Sequence, residues 1–214
     1  MEEIDYRSLY ALQDRVIKAV FLIESSFYLT GGTCLHRFYH EKRYSDDLDF
    51  FDNDNMMFRE DVRIVLDSIR QQNIPSSIDV DSRDYVRLTV DGSMKVELVN
   101  DRTYRAGRSI RTANGLVLDN ILNLCSNKIC AVFGRDEPKD VFDLYTIYQN
   151  ISLDWSEAMC AASKKCVVDP EALKFRLRAF PLELADFLQV PDRAFIAEFK
   201  KNYRSMVDRV IDEL

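Results

Sequence analysis

Glycine and proline are scarce, at 6 and 5 of 214 residues, which excludes collagen-like, linker and low-complexity readings. Long apolar runs are missing too. A stretch such as Ala19-Val20-Phe21-Leu22-Ile23 is about a quarter of the ~20 residues a membrane helix requires. The acidic start Met1-Glu2-Glu3 lacks the basic region of a secretory signal, so the expectation is a cytoplasmic protein that stays out of membranes. Cys34, Cys125, Cys130, Cys160 and Cys166 are an odd set without a CxxC pair; they read as reduced thiols, mostly core filler, and argue against zinc. A basic surplus is also absent. Lys and Arg number 29 against 36 Asp and Glu, for a net charge of −7, so nucleic acid would have to be held by a local basic patch. What remains is an ordinary soluble composition, 47% hydrophobic and 30% charged, long enough for one large domain or two small ones.

Leu9, Leu12, Val16, Ala19, Val20 and Ile23 repeat at three and four, predicting a helix over residues 6–24. Phe27 to Thr30 reads as a strand that stops at Gly31-Gly32, after which Thr33 to Phe38 can resume as a helix. Leu48 to Phe51 is a second strand, followed by the turn cluster Asp52-Asn53-Asp54-Asn55 and a helix carrying Phe58, Val62, Val65, Leu66 and Ile69. Residues 77–80, 85–90 and 94–99 are strand-like, the last two joined by the hairpin signal Asp91-Gly92. Beyond Asn114-Gly115 helical periodicity takes over, at about 118–133, 139–148, 155–163, 170–179 and 194–214. The pattern predicts an α+β protein: a mixed sheet unit over 1–112, then a helical domain over 113–214.

On a strand, Asp47 and Asp49 leave one face while Leu48 and Phe50 enter the core. Two carboxylates about 7 Å apart repel each other unless a cation lies between them, and oxygen donors of this kind favour Mg²⁺ or Mn²⁺. Alone, the pair reads more readily as the solvated face of an edge strand. Its context adds to it: Gly31-Gly32-Thr33 closes a strand and opens a helix, an arrangement that exposes backbone N–H groups to phosphate. Glu97, on the alternating strand with Lys95 and Val99, can join the pair. Carboxylates holding two divalent ions are a recurrent clamp for displacement at phosphorus. Downstream, Lys128, Ala131 and Arg135 share a helix face. Asp140 and Asp143, three apart, share the next; from the residues alone this block reads first as a salt-bridged helical hairpin. His36 and His40 read as ordinary histidines on a solvated face rather than a metal pair. Arg37, Lys42, Arg43, Arg83, Arg87 and Lys95 are either a local basic surface or scattered charge.

Residues 27–35, Phe-Tyr-Leu-Thr-Gly-Gly-Thr-Cys-Leu, followed by Arg43-Tyr44-Ser45-Asp46-Asp47-Leu48-Asp49-Phe50-Phe51, resemble the nucleotidyltransferase signature of the DNA polymerase β-like superfamily. More narrowly they resemble the AbiEii/AbiGii toxin group, whose strand-GG-T-helix leads to R-x-S-x-D-I/L-D-F/L. Residues 127–145 resemble that group's second block, K-x-x-A-x-x-x-R followed by K/R-D-x-x-D-L-Y. The likeness spans about residues 26–148, and Glu97 departs from it where the family usually shows Asp.

The resemblance implies a polymerase-β-like mixed sheet followed by a helical bundle, and a Mg²⁺-dependent (or Mn²⁺-dependent) transfer of a nucleoside monophosphate from an NTP to a hydroxyl with loss of pyrophosphate. By position it implies metal at Asp47 and Asp49, with Glu97 as a third candidate. Gly31, Gly32 and Thr33 would cradle the triphosphate, and Ser45 would bond a phosphate oxygen. Arg43 would contact nucleotide or balance charge, Arg135 would reach the phosphates, and Lys128 and Asp140 would be catalytic. A tRNA 3′ end or a protein hydroxyl is the implied acceptor and a cognate antitoxin the implied partner. Adenylylation of a cationic small molecule such as an antibiotic, or a non-catalytic nucleotide- or partner-binding module, are the competing readings.

Overall fold

The structure, a computed structural model, describes residues 4–213. The chain divides into two compact units that interleave in sequence. The first comprises residues up to Cys34, Ser45–Thr103 and Ser109–Asp119; the second Leu35–Tyr44, Tyr104–Arg108 and Asn120 onward.

The first unit is a seven-stranded mixed sheet with two long helices. Its strands are β1 (Tyr28–Thr30), β2 (Leu48–Asn53), β3 (Ser76–Asp81), β4 (Tyr85–Val90), β5 (Met94–Asp101), β6 (Ile110–Arg111) and β7 (Val117–Leu118), in the order β3-β4-β5-β2-β1-β7-β6. β2 runs parallel to β5 and β1 parallel to β7, the remaining pairs being antiparallel. Strict alternation in β4 and β5 buries Val86, Leu88, Val90, Met94, Val96 and Leu98. That face is covered by α1 (Tyr6–Phe21) and α3 (Phe58–Gln71), where Phe21 meets Phe50 edge-on and the Ser68 hydroxyl donates to the Ala19 carbonyl at 2.7 Å. Asp91 and Gly92 both have positive φ, +49° and +74°, the two-residue turn that the Asp-Gly signal predicts. After β1 the chain turns into α2 (Gly31–Cys34).

The second unit is helical. A π-helical turn, Leu35–Tyr39, is followed by α4 (Ile121–Gly134), α5 (Pro138–Asn150), α6 (Trp155–Ser163), α7 (Pro170–Ala179), a 3₁₀ segment Leu182–Phe187 and α8 (Ala194–Glu213). Phe142, Phe199 and Tyr203 centre its core, the Phe199 ring lying 5.3 Å from Phe142 and 5.0 Å from Tyr203. Among the described residues, no helix is long and apolar enough to cross a membrane.

Two expectations change. The helix expected from residue 118 starts at Ile121, because Val117–Leu118 pair with β6 and Leu118 with Leu29 of β1, while the Asn120 side chain caps α4 by accepting the Asn123 N–H. The cysteines are not all reduced thiols: packing of α4 against α6 brings Cys130 and Cys166, 36 residues apart, into a disulfide. Cys34 and Cys125 are buried, as filler should be, and Cys160 is exposed.

Candidate active site

On the outward face of the sheet, the parallel register of β2 and β5 sets Asp49 beside Glu97, with Thr30 of β1 on the other flank of Asp49 and Arg87 of β4 beyond Glu97. Two residues earlier in sequence come Asp47, just ahead of β2, and Lys95 of β5. The Lys95 Nζ lies 2.9 Å from Oδ2 of Asp47 and 3.8 Å from Oε1 of Glu97. The hydrogen bond to Asp47, together with the charges of Asp47, Glu97 and Asp49, raises the Lys95 pKa despite partial burial. Glu97 is held from its other side: the Tyr85 hydroxyl donates to it at 2.7 Å, and Arg87 Nε reaches both Glu97, at 3.2 Å, and the Tyr85 oxygen, at 2.8 Å. Burial and the Glu97 carboxylate push the Tyr85 phenol up.

The glycine corner abuts this face. Gly31 has φ +71°, and a Cβ on it would fall on the Asp49 carboxylate; only glycine lets that carboxylate lie against the backbone. Thr33 is buried and its hydroxyl donates to the Asp47 carbonyl, tying the corner to the segment that enters β2. That segment is fixed again by Gln13, whose Nε2 donates to the carbonyls of Ser45 at 2.9 Å and Asp46 at 3.2 Å, and by the Tyr10 hydroxyl, which accepts the Ser45 N–H at 3.3 Å. Thr30 donates to the buried Asp119 at 2.7 Å. Gln13 and Asp119 were missed in the sequence. Gln13 did leave a signal, being four after Leu9 and three before Val16 on the buried stripe of α1.

Among the described residues no three His, Cys, Asp or Glu side chains stand close enough to hold a metal ion as they are. Yet Asp47 and Asp49 offer oxygen donors to one face, and a cation, the Lys95 ammonium, already lies among the acids of that face. The pair fits a small divalent cation; Glu97 is committed to Tyr85 and Arg87.

The second motif block lies in the helical unit and is a buried ion cluster. Arg43 clamps both oxygens of Asp143, from Nε at 2.7 Å and NH2 at 2.8 Å. Lys128 Nζ lies 2.6 Å from Asp143 and 2.8 Å from Asp140, and Arg135 reaches Asp140 at 2.7 Å. Burial alone would raise the Asp143 pKa, but Arg43, Lys128 and His36 together hold it well below the carboxylate range. Asp140 is likewise lowered, by Lys128 and Arg135 against its own burial. Lys128 is raised, the two carboxylates outweighing desolvation. His36 corrects the solvated-face expectation: it is fully buried, with Nε2 2.7 Å from Asp143 and Nδ1 3.1 Å from the His40 carbonyl. The π-helical turn carries it into the interior, and burial lowers its pKa even beside Asp143.

The basic residues grouped in the sequence mostly have partners. Lys95 and Arg87 pair with acids of the sheet face and Arg43 with Asp143, Arg83 lies 3.9 Å from Asp84, and Lys42 sits over the Phe195 ring.

A family model described as nucleotidyl transferase AbiEii toxin, type IV TA system, matches residues 19–214. Among solved structures, JHP933 from Helicobacter pylori is 18% identical with a TM-score of 0.63, the match covering 100% of this chain and 95% of that one. A putative nucleotidyltransferase from H. pylori gives 18% and 0.62, over 100% and 97%. MenT4, a nucleotidyltransferase toxin from Mycobacterium tuberculosis, gives 16% and 0.61, over 98% and 88%. At these identities the likeness is one of fold, a mixed sheet with helices. No curated protein matches the chain.

Proposed function

The chain belongs to the AbiEii family of nucleotidyl transferase toxins, and from that premise we propose that it moves a nucleoside monophosphate from an NTP to an acceptor hydroxyl, releasing pyrophosphate, in a Mg²⁺-dependent reaction. The observation that carries this is the seating of Asp49 against a positive-φ Gly31, with Asp47 on the same face. Asp47 and Asp49 would hold the metal, which when bound supplies charge neutralisation to the phosphates and lowers the pKa of an attacking hydroxyl. The Gly31-Gly32-Thr33 corner would receive the triphosphate through its backbone, with Ser45 beside it. Thr33, through the Asp47 carbonyl, and Gln13, through those of Ser45 and Asp46, hold the metal-binding segment in place. Lys128 would be the catalytic lysine of the helical block, its ammonium held by Asp140 and Asp143. Asp140, kept anionic by Lys128 and Arg135, suits a part in orienting that ammonium better than accepting a proton, since a carboxylate held low is a poor base. Arg43 and Arg135 would act through Asp143 and Asp140 as charge balance.

A tRNA 3′ end or a protein hydroxyl is the proposed acceptor, and a cognate antitoxin the proposed partner. The net charge of −7 favours a second reading, a cationic small molecule as acceptor. Incubation with each α-labelled NTP, Mg²⁺ and either total tRNA, cell lysate or aminoglycosides separates these, because label should enter one acceptor class. Asp47→Ala or Asp49→Ala should reduce incorporation by about 10²–10⁴-fold. Nucleotide binding without transfer, alike in the wild type and Asp49→Ala, would instead make the chain a binding module.

A further inference from the structure

The outward face of β2 and β5 carries Asp49 and Glu97 side by side, with Asp47 just ahead of β2 and within reach of Lys95 on β5. Three carboxylates at that spacing repel one another. Lys95 is placed by register to answer this: it sits two residues before Glu97, its ammonium 2.9 Å from Asp47 and 3.8 Å from Glu97. Arg87, the other cation on the face, is tied to Tyr85 and Glu97, so it does not reach Asp47 as Lys95 does. The Lys95 side chain is 38% exposed on a flexible four-carbon stem, so releasing Asp47 requires a rotamer change and no backbone movement.

We infer that Lys95 is a resident counter-cation that competes with the divalent ion for Asp47. It keeps the acidic face assembled when the ion is away and must surrender Asp47 when the ion arrives. Affinity for the ion is therefore set partly by the protein's own ammonium. Lys95 is in this sense a positioning residue. The inference rests on the reading that Asp47 and Asp49 take the metal.

Both can be tested by titrating the nucleotide-free full chain with Mn²⁺ in a calorimeter, comparing wild type, Lys95→Met, Lys95→Arg and Asp49→Asn. Removing the competitor is expected to tighten Mn²⁺ binding about 1.5- to fivefold in Lys95→Met, the range for an exposed ion pair, and the difference should shrink as salt rises. Lys95→Arg, which keeps a cation there, should stay near wild type. If Lys95→Met does not fold, Lys95→Gln should show the same gain. A merely structural lysine would leave metal affinity unchanged or weaken it on removal. Binding that is lost in Asp49→Asn but no tighter without Lys95 overturns the competition alone. Binding that persists unchanged in Asp49→Asn overturns the carboxylate reading and the competition with it.

Discussion

Alanine at position 31 would have to adopt a φ of +71° and set its Cβ on the Asp49 carboxylate. The first costs ~1–2 kcal/mol; the second forces Asp49 aside. Gly31→Ala should therefore lower transfer by about 10²-fold, as a misplacement near 1 Å can, whereas Gly134→Ala, with open space around it, should leave the rate unchanged in a parallel assay. Asp143 has a different liability. With Arg43, Lys128 and His36 gathered on one buried carboxylate, Asp143→Asn leaves charges unpaired and should cost about 3–5 kcal/mol in denaturant unfolding. His36 adds a pH dependence. It is neutral in the fold because burial lowers its pKa, so acid protonates the unfolded chain first and stability falls as pH drops through about 6.5. The Asp143 contribution runs in the same direction but lower: it is intact above about pH 4 and fades as pH falls further, because the folded carboxyl stays ionised longest. Melting at pH 7.5 and 5.5 should show the first loss in the wild type and a smaller one in His36→Gln; equal losses would remove His36 from the account.

At the scale of elements, β4, α6 and α7 have the limits that alternation and helical spacing predict, and β5 needs only two more residues at its end. Local signals suffice there because each element is bounded by residues of its own: Asp91-Gly92 between the strands, Asp154 and Asp169 as side-chain caps. The face shared by Asp49 and Glu97 was half legible. A period of two puts each acid outward, but only the β2–β5 register makes them neighbours. What could not be read is whatever depends on distant partners: the two-residue strand β7 beside β1, the burial of His36, the grip of Gln13 on residues 45 and 46. The link between α4 and the end of α6 belongs with these. Cys130 bonds Cys166, and Lys165 next to it donates to Asn123 and reaches Asn127 on α4. Closing a loop over a separation of 36 residues contributes about 3–4 kcal/mol in the chain-entropy account. A reductant should accordingly lower the melting temperature of the wild type and leave Cys166→Ser, already lower, unmoved.

For the molecule as a whole, the expected outcome of induced expression is growth arrest, relieved by Asp47→Ala or Lys128→Ala. Arrest that persisted in both variants at equal protein levels would detach toxicity from transfer. The acidic balance of −7 also predicts that an RNA acceptor would be held by few phosphate contacts, with a shallow dependence of affinity on salt measurable by filter binding. The weave of the two units carries a last consequence. The polypeptide passes from one to the other at 34/35, 44/45, 103/104, 108/109 and 119/120, so no single cut yields either half intact. A premature stop near residue 112 would remove β7 from beside β1 and leave the second unit without α4 to α8.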